Sequence, residues 1–237
     1  VGTHACGVII TPKPLIDLIP MTNSKDSDLL VTQFDNSVVE NAGLLKMDFL
    51  GLRNLSIIDR TLELINDHSF NIDELPLTDN KTFELFSSGK MTGVFQLESR
   101  VAQATARSLK PKRFEDIVAL VALIRPGPLG ANMHIEFADR ATGKKEIEFL
   151  HEDLKEILEE TYGVILYQEQ VMQIAQKISG FQLDEADDLR KAMGKKIPKV
   201  MEQQRKKFTD GAIKNGYSEQ FSIELFDQIA IFAGYGF

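Results

Sequence analysis

The sequence has no tryptophan and a single cysteine, Cys6, among 237 residues. One thiol closes no internal disulfide, so the chain reads as a protein of a reducing compartment, the cytoplasm. Long apolar runs are missing too. The longest, Ile117 to Ile124, has eight residues, where a membrane-spanning helix needs roughly 18 or more. No basic segment leads into an apolar stretch at the start, so no signal peptide is read there, and no membrane is expected as a partner. An initiator methionine is also absent, and the chain closes on "FAGYGF" without a polar tail. Both ends read as cuts in something longer. Missing motifs narrow the chemistry further: there is no P-loop, no G-x-G-x-x-G, no H-E-x-x-H and no Cys/His zinc spacing.

What is there is ordinary for a globular protein, at 43% hydrophobic and 26% charged residues, and the length is ample for a core. The net charge of -8 argues against a nucleic-acid partner, but the average conceals segregation. From Arg190 to Lys207 there are eight basic residues and one acid, Glu202, so these 18 residues carry +7 and the remainder carries -15. Just upstream, Asp184, Glu185, Asp187 and Asp188 form an acidic cluster. Segregation of this kind can create a local anion-binding face on an acidic protein.

Hydrophobic periodicity divides the chain near Leu52. Residues 5 to about 50 read as β, with candidate strands in "CGVII", "LLVTQF" and "GLLKMDFL". After Gly51 the period changes: Leu55, Ile58, Leu62 and Ile65 recur at helical spacing, which predicts an amphipathic helix over about 54–67. Further helices are expected at about 79–88, 98–108, 114–123, 131–142, 152–160, 167–179, 184–193, 198–215 and 219–233, with "RPGPLG" and "GKKIP" as breaks. The expected fold class is α+β, predominantly helical. No internal repeat or low-complexity segment is present.

In "GLLKMDFL", period-two alternation places Lys46 and Asp48 on one face and Leu45, Met47 and Phe49 on the other. A carboxylate within an apolar run needs an edge position or a positive partner, because burying it alone costs several kcal/mol. Asp48 reads either as a ligand for a hard ion such as Mg2+ or as the partner of Lys46 at a strand end. Asp26 and Asp28 have the D-x-D form of a second carboxylate pair, but "TNSKDSD" is polar throughout and reads as a solvated loop. His4 in "THACG" reads as a ligand, a contact residue or a packed or capping side chain. In the basic segment, Arg190, Lys191, Lys195 and Lys196 straddle Gly194 at a helix end. A glycine beside clustered cations suits phosphate oxygens; a solvated helix face is the other reading. "RPGPLG" is a rigid turn that fixes Arg125. "YGVILYQEQVMQIAQKISG" reads as a buried helix with Gln168, Glu169 and Gln170 lining a surface.

Seven stretches, "HACGVI", "VTQFDNSVVENAGLLKMDFLGLRNLSII", "VFQLES", "FEDIVALVALIRPGPL", "YGVILYQEQVMQIAQ", "LRKAMGKK" and "FAGYGF", resemble in order the bacterial C-family replicative polymerases, the family of DNA polymerase III alpha subunits. The resemblance runs through essentially the whole chain. It implies a nucleotidyltransferase palm whose third catalytic aspartate is Asp48, with Lys46 beside it and the other two in an upstream D-x-D. It further implies that residues 1–53 are the C-terminal part of the palm and 54–237 are fingers, incomplete at the C-terminus.

From the same resemblance, "LRKAMGKK" implies triphosphate contacts by Arg190, Lys191, Lys195 and Lys196. Many members carry a second arginine where this chain has Lys191, and lysine loses the bidentate geometry. Arg125 is implied as a nucleotide or template contact. The implied cofactor is Mg2+ in a two-metal site. The implied partners are primer–template DNA, dNTP and, in the longer protein, other replicase subunits including a sliding clamp and a proofreading exonuclease, in the bacterial cytoplasm at the nucleoid. The chain alone would be inactive. A non-catalytic nucleotide- or nucleic-acid-binding module is the rival reading.

Overall fold

The computed structural model describes residues 4, 6–24, 28–67, 69–195 and 198–233. They fall in two compact units, Val1–Phe70 and Asn71–Phe237. The first contains β1 (Gly7–Ile10), β2 (Met21–Asn23), β3 (Leu30–Thr32), α1 (Asn36–Asn41), β4 (Leu45–Asp48) and α2 (Arg53–Ile65). Two antiparallel pairs result, β1 with β4 and β2 with β3. In the first pair Gly7 faces Asp48, Val8 faces Met47, Ile9 faces Lys46 and Ile10 faces Leu45. One face therefore carries Gly7, Ile9, Lys46 and Asp48. The other carries Val8, Ile10, Leu45 and Met47, all exposed.

Ile19 and Val39 are the buried apolar side chains among the described residues of this unit. Helix α2 forms where its periodicity predicts, ending on Asn66 in the left-handed conformation, yet Leu55, Ile58 and Ile65 of its apolar stripe remain exposed. Helix α1 interrupts the stretch expected to be β. At six residues it is too short to display a helical period, but Asp35 caps it by accepting from the Val38 N–H at 3.1 Å.

The second unit is helical: α3 (Asn80–Ser88), α4 (Arg100–Leu109), α5 (Phe114–Leu123), α6 (Pro126–Gly130), α7 (Met133–Ala141), α8 (Lys155–Leu158), α9 (Gln168–Ser179), α10 (Leu183–Lys195), α11 (Pro198–Lys214) and α12 (Glu219–Ala233). Capping sets several starts. The Asp79 carboxylate accepts from the Thr82 N–H at 2.8 Å and the Ser99 hydroxyl from the Ala102 N–H at 3.2 Å. Two apolar cores form. One gathers Phe86, Met91, Leu109, Leu120, Leu123 and Phe137 from α3–α7. The other gathers Ile174, Ile178, Leu189, Phe208, Leu225 and Ile229 from α9–α12. Met133 packs against both. Gly211 lets α11 approach α9 closely, since a Cβ there would lie 2.3 Å from the Ser179 carbonyl oxygen.

Two local expectations change. "RPGPLG" is not a simple turn: residues 126–130 form helix α6, with Arg125 at its N-cap. Proline is harmless in a first helical turn, where its missing N–H has no intrahelical partner. And Gln170 does not line a surface. It is buried; its Oε1 accepts from the Leu166 and Tyr167 N–H groups at 2.8 and 3.0 Å, and its Nε2 donates to Thr161 Oγ1 at 2.8 Å. Gln170 thus satisfies the irregular segment entering α9.

A second polar group is buried between helices. Asp116 accepts from Tyr162 Oη at 2.8 Å, Arg113 Nε at 3.1 Å and the Lys112 N–H at 3.0 Å. Arg113 also lies over the Tyr162 ring, 4.9 Å from its centroid.

Candidate functional site

The β1–β4 pairing builds a small polar platform. Gly7 lies opposite Asp48, and the ladder continues through the Phe49 N–H, which donates to the Cys6 carbonyl at 2.9 Å. Lys46 Nζ donates to Asp48 Oδ1 at 2.6 Å and to Oδ2 at 2.9 Å. This is the shared face read from the alternation, and at this strand end it is an ion pair. Asp48 is not a buried core charge: its side chain is 50% exposed, while that of Lys46 is 13% exposed. The hydrogen bond from Lys46, reinforced by its charge, holds the Asp48 carboxyl below the usual carboxylate range.

His4 and Cys6 complete the cluster. His4 Nδ1 lies 3.9 Å from Asp48 Oδ1 and 3.8 Å from Cys6 Sγ, and accepts from the Cys6 backbone N–H at 3.3 Å. One donor atom from each of His4, Cys6 and Asp48 lies within 4.8 Å of the others. Gly7 leaves room for them. A Cβ on residue 7 would approach His4 Nδ1 to 2.9 Å, Lys46 Cε to 3.0 Å and Asp48 Oδ1 to 3.2 Å. The convergence of His4, Cys6 and Gly7 on Asp48 is absent from local periodicity, because a register between strands 34 residues apart has no local signature.

These donors can be compared with what Mg2+ requires. Mg2+ prefers oxygen ligands in octahedral geometry, and a two-metal centre needs several carboxylates. Among the described residues no second carboxylate joins Asp48; its companions are an imidazole and a thiol. Asp48 fits as one ligand, and the described residues do not by themselves hold a Mg2+ pair. Asp26 lies outside the described residues, and Asp28 is exposed.

The basic segment is largely paired. Asp187 receives Arg190 through Nε and Nη2, both at 2.8 Å, and Lys191 through Nζ at 2.7 Å. Those bonds, from Lys191 first, hold the Asp187 carboxyl low. Further along, Lys207 meets Glu185 at 2.8 Å, Lys206 meets Asp210 at 3.0 Å and Arg205 pairs with Asp227. Within the upstream acidic cluster, Asp187 meets Arg190 and Lys191 one turn along α10, the spacing at which opposite charges meet, whereas Glu185 meets Lys207 from α11. Gly194 lies within α10, and a Cβ on it would meet open space. Lys195 ends α10; Lys196 lies outside the described residues. Arg125 is exposed at the N-cap of α6.

Comparison with known proteins places these elements. The family model of the bacterial DNA polymerase III alpha subunit finger domain matches residues 54–216. That of the bacterial DNA polymerase III alpha NTPase domain matches residues 1–51. The chain belongs to the bacterial DNA polymerase III alpha subunit family. The DNA polymerase III subunit alpha of Escherichia coli strain K12 is 49% identical over 248 aligned positions, which take in 100% of this chain and 21% of that protein. The proteins of the same name from Vibrio cholerae and Halalkalibacterium halodurans are 49% and 45% identical, again with 100% and 21% coverage. The chain spans about a fifth of the length of these curated relatives. No helix among the described residues is long and apolar enough to cross a membrane.

Proposed function

We propose that this chain forms part of a replicative DNA-directed DNA polymerase, in which a primer 3′-hydroxyl attacks the α-phosphate of a dNTP and pyrophosphate leaves. The observation that carries the reading is consecutive matching of the two family models over residues 1–51 and 54–216, at 45–49% identity to curated relatives along the whole chain. Residues 1–53 then belong to the palm and 54–237 to the fingers.

In this reading Asp48 supplies one ionised carboxylate to a Mg2+ centre whose other carboxylates come from the rest of a longer polypeptide. Bound Mg2+ would neutralise charge on the reacting phosphates. Lys46 has two roles: it fixes the rotamer of Asp48 and keeps the carboxylate ionised. Arg190, Lys191, Lys195 and Lys196 receive the triphosphate, and Arg125 contacts nucleotide or template. Asp187 has to yield Arg190 and Lys191 before either meets phosphate. Primer–template DNA and dNTP are the direct partners. A sliding clamp, a proofreading exonuclease and other replicase subunits join the longer protein, in the bacterial cytoplasm at the nucleoid. With one carboxylate at the platform among the described residues, the isolated chain binds without catalysing, which is how the rival reading of a binding module applies to it.

A chimera tests the proposal. This chain replaces the corresponding 49%-identical segment of the Escherichia coli polymerase, and template-dependent primer extension is measured. The expected result is synthesis by the chimera and none by the isolated chain. A folded chimera that incorporates no dNTP would overturn the reading.

A further inference from the structure

We infer that His4, Cys6 and Asp48 form a binding site for a thiophilic divalent transition-metal ion of the Zn2+ class, which competes for Asp48 with the Mg2+ centre proposed above. The inference begins with ligand type. An imidazole nitrogen, a thiol sulfur and a carboxylate oxygen are a borderline-soft donor set, suited to Zn2+ or Co2+ and poorly suited to Mg2+. Geometry comes next. A tetrahedral ion with bonds of about 2.0–2.3 Å sets its ligand atoms about 3.3–3.8 Å apart. Here His4 Nδ1 is 3.8 Å from Cys6 Sγ and 3.9 Å from Asp48 Oδ1. All three donors fall within 4.8 Å of one another, so closing on a tetrahedral ion draws them together by up to about 1 Å.

The platform is shaped for such convergence. The Cys6 N–H donates to His4 Nδ1 at 3.3 Å, so Nδ1 carries its lone pair beside the cluster, and that bond has to yield before the same lone pair meets an ion. Gly7 leaves the space in which the His4 and Asp48 side chains meet. With three protein ligands and half-exposed side chains, a fourth position stays open to water. Lys46 opposes the ion, because its ammonium occupies both Asp48 oxygens. Binding displaces Lys46 from Asp48 and the Cys6 N–H from His4 Nδ1.

The test is independent of the polymerase reading, because it reports ligands whether or not the chain takes part in synthesis. The reduced chain, its helicity verified by circular dichroism, is titrated with Co2+ in a non-thiol reductant. The site predicts a thiolate-to-cobalt charge-transfer band in the near ultraviolet, bleached by equimolar Zn2+ and unaffected by a thousandfold excess of Mg2+. Alkylating Cys6, the single cysteine, in the already folded chain removes the band. His4→Ala weakens binding by at least tenfold, whereas Lys46→Gln tightens it severalfold by removing the competing ammonium. Absence of the band in the folded chain, equal Co2+ affinity after alkylation, or displacement by Mg2+ would each overturn the inference.

Discussion

Lys46 grips both oxygens of Asp48, at 2.6 and 2.9 Å, across one face of a two-stranded sheet. The contact keeps the carboxylate ionised and fixes its direction. Because Asp48 titrates low in the folded chain, the pair's contribution to stability is present above the ordinary carboxylate range and lost as pH falls through the folded value. Lys46→Met is expected to raise the Asp48 pKa toward its ordinary value. Carbon NMR of the Asp48 carboxyl group during an acid titration measures this, and identical titration curves for the two proteins would mean that the pair does not exist in solution.

Asp116 anchors the junction of α5 with the segment before α9. It accepts three hydrogen bonds while 3% exposed. Asp116→Ala is expected to cost about 1–3 kcal/mol, and Tyr162→Phe about 1–2 kcal/mol, since charge-assisted bonds exceed neutral ones. Urea unfolding provides the comparison, with Asp116→Ala showing the lower midpoint. Unchanged midpoints would show the network to be dispensable.

Three tyrosines set the alkaline limit. Tyr162, Tyr167 and Tyr217 are pushed up to about 12, first by burial and then by neighbouring carboxylates. A raised folded value favours the neutral phenol in the native state. Stability is therefore full below the unfolded value of 10.0 and declines as pH climbs through about 12. Tyrosinate absorbance should appear late and together with loss of helicity. Ionisation of most tyrosines near pH 10.0 in a still-folded chain would contradict this.

Much of this architecture is legible in the sequence. Helix α2 and the long helices of the second unit follow from apolar spacing, and the Lys46–Asp48 face from alternation. The rest depends on contacts that spacing does not encode. Asp35 starts a helix within a stretch that looks extended, and two prolines enter α6 where a first turn tolerates them. Charge counts also leave out local pairing. Arg190 and Lys191 read as an anion-binding pair, but Asp187 is three and four residues away and one turn of helix joins them. Likewise, nothing in "THACG" points to Asp48 until β1 and β4 are paired.

On the proposed function, that ion pairing makes a kinetic prediction for the chimeric polymerase carrying this chain. Asp187→Asn frees Arg190 and Lys191 and should lower the KM for dNTP. Lys195→Gln with Lys196→Gln should raise KM for dNTP more than it weakens primer–template binding. Each lost charge-assisted contact costs about 1.5–3 kcal/mol if dry and under about 1 kcal/mol if wet. Steady-state dNTP titrations beside DNA binding over a salt series separate the two. A drop in DNA affinity and salt slope at constant KM would assign the segment to the DNA backbone instead.

The most direct measurement concerns Asp48 itself. In the chimeric polymerase carrying this chain, Asp48→Asn keeps the size of the side chain and removes its charge. Since Asp48 is half exposed, the variant should still fold, with unchanged helicity by circular dichroism. Primer extension under single-turnover conditions should fall by about a hundredfold or more, the scale of losing one charged group aimed at the transition state. Near-normal extension by the folded variant would contradict the assignment of Asp48 to the reaction centre.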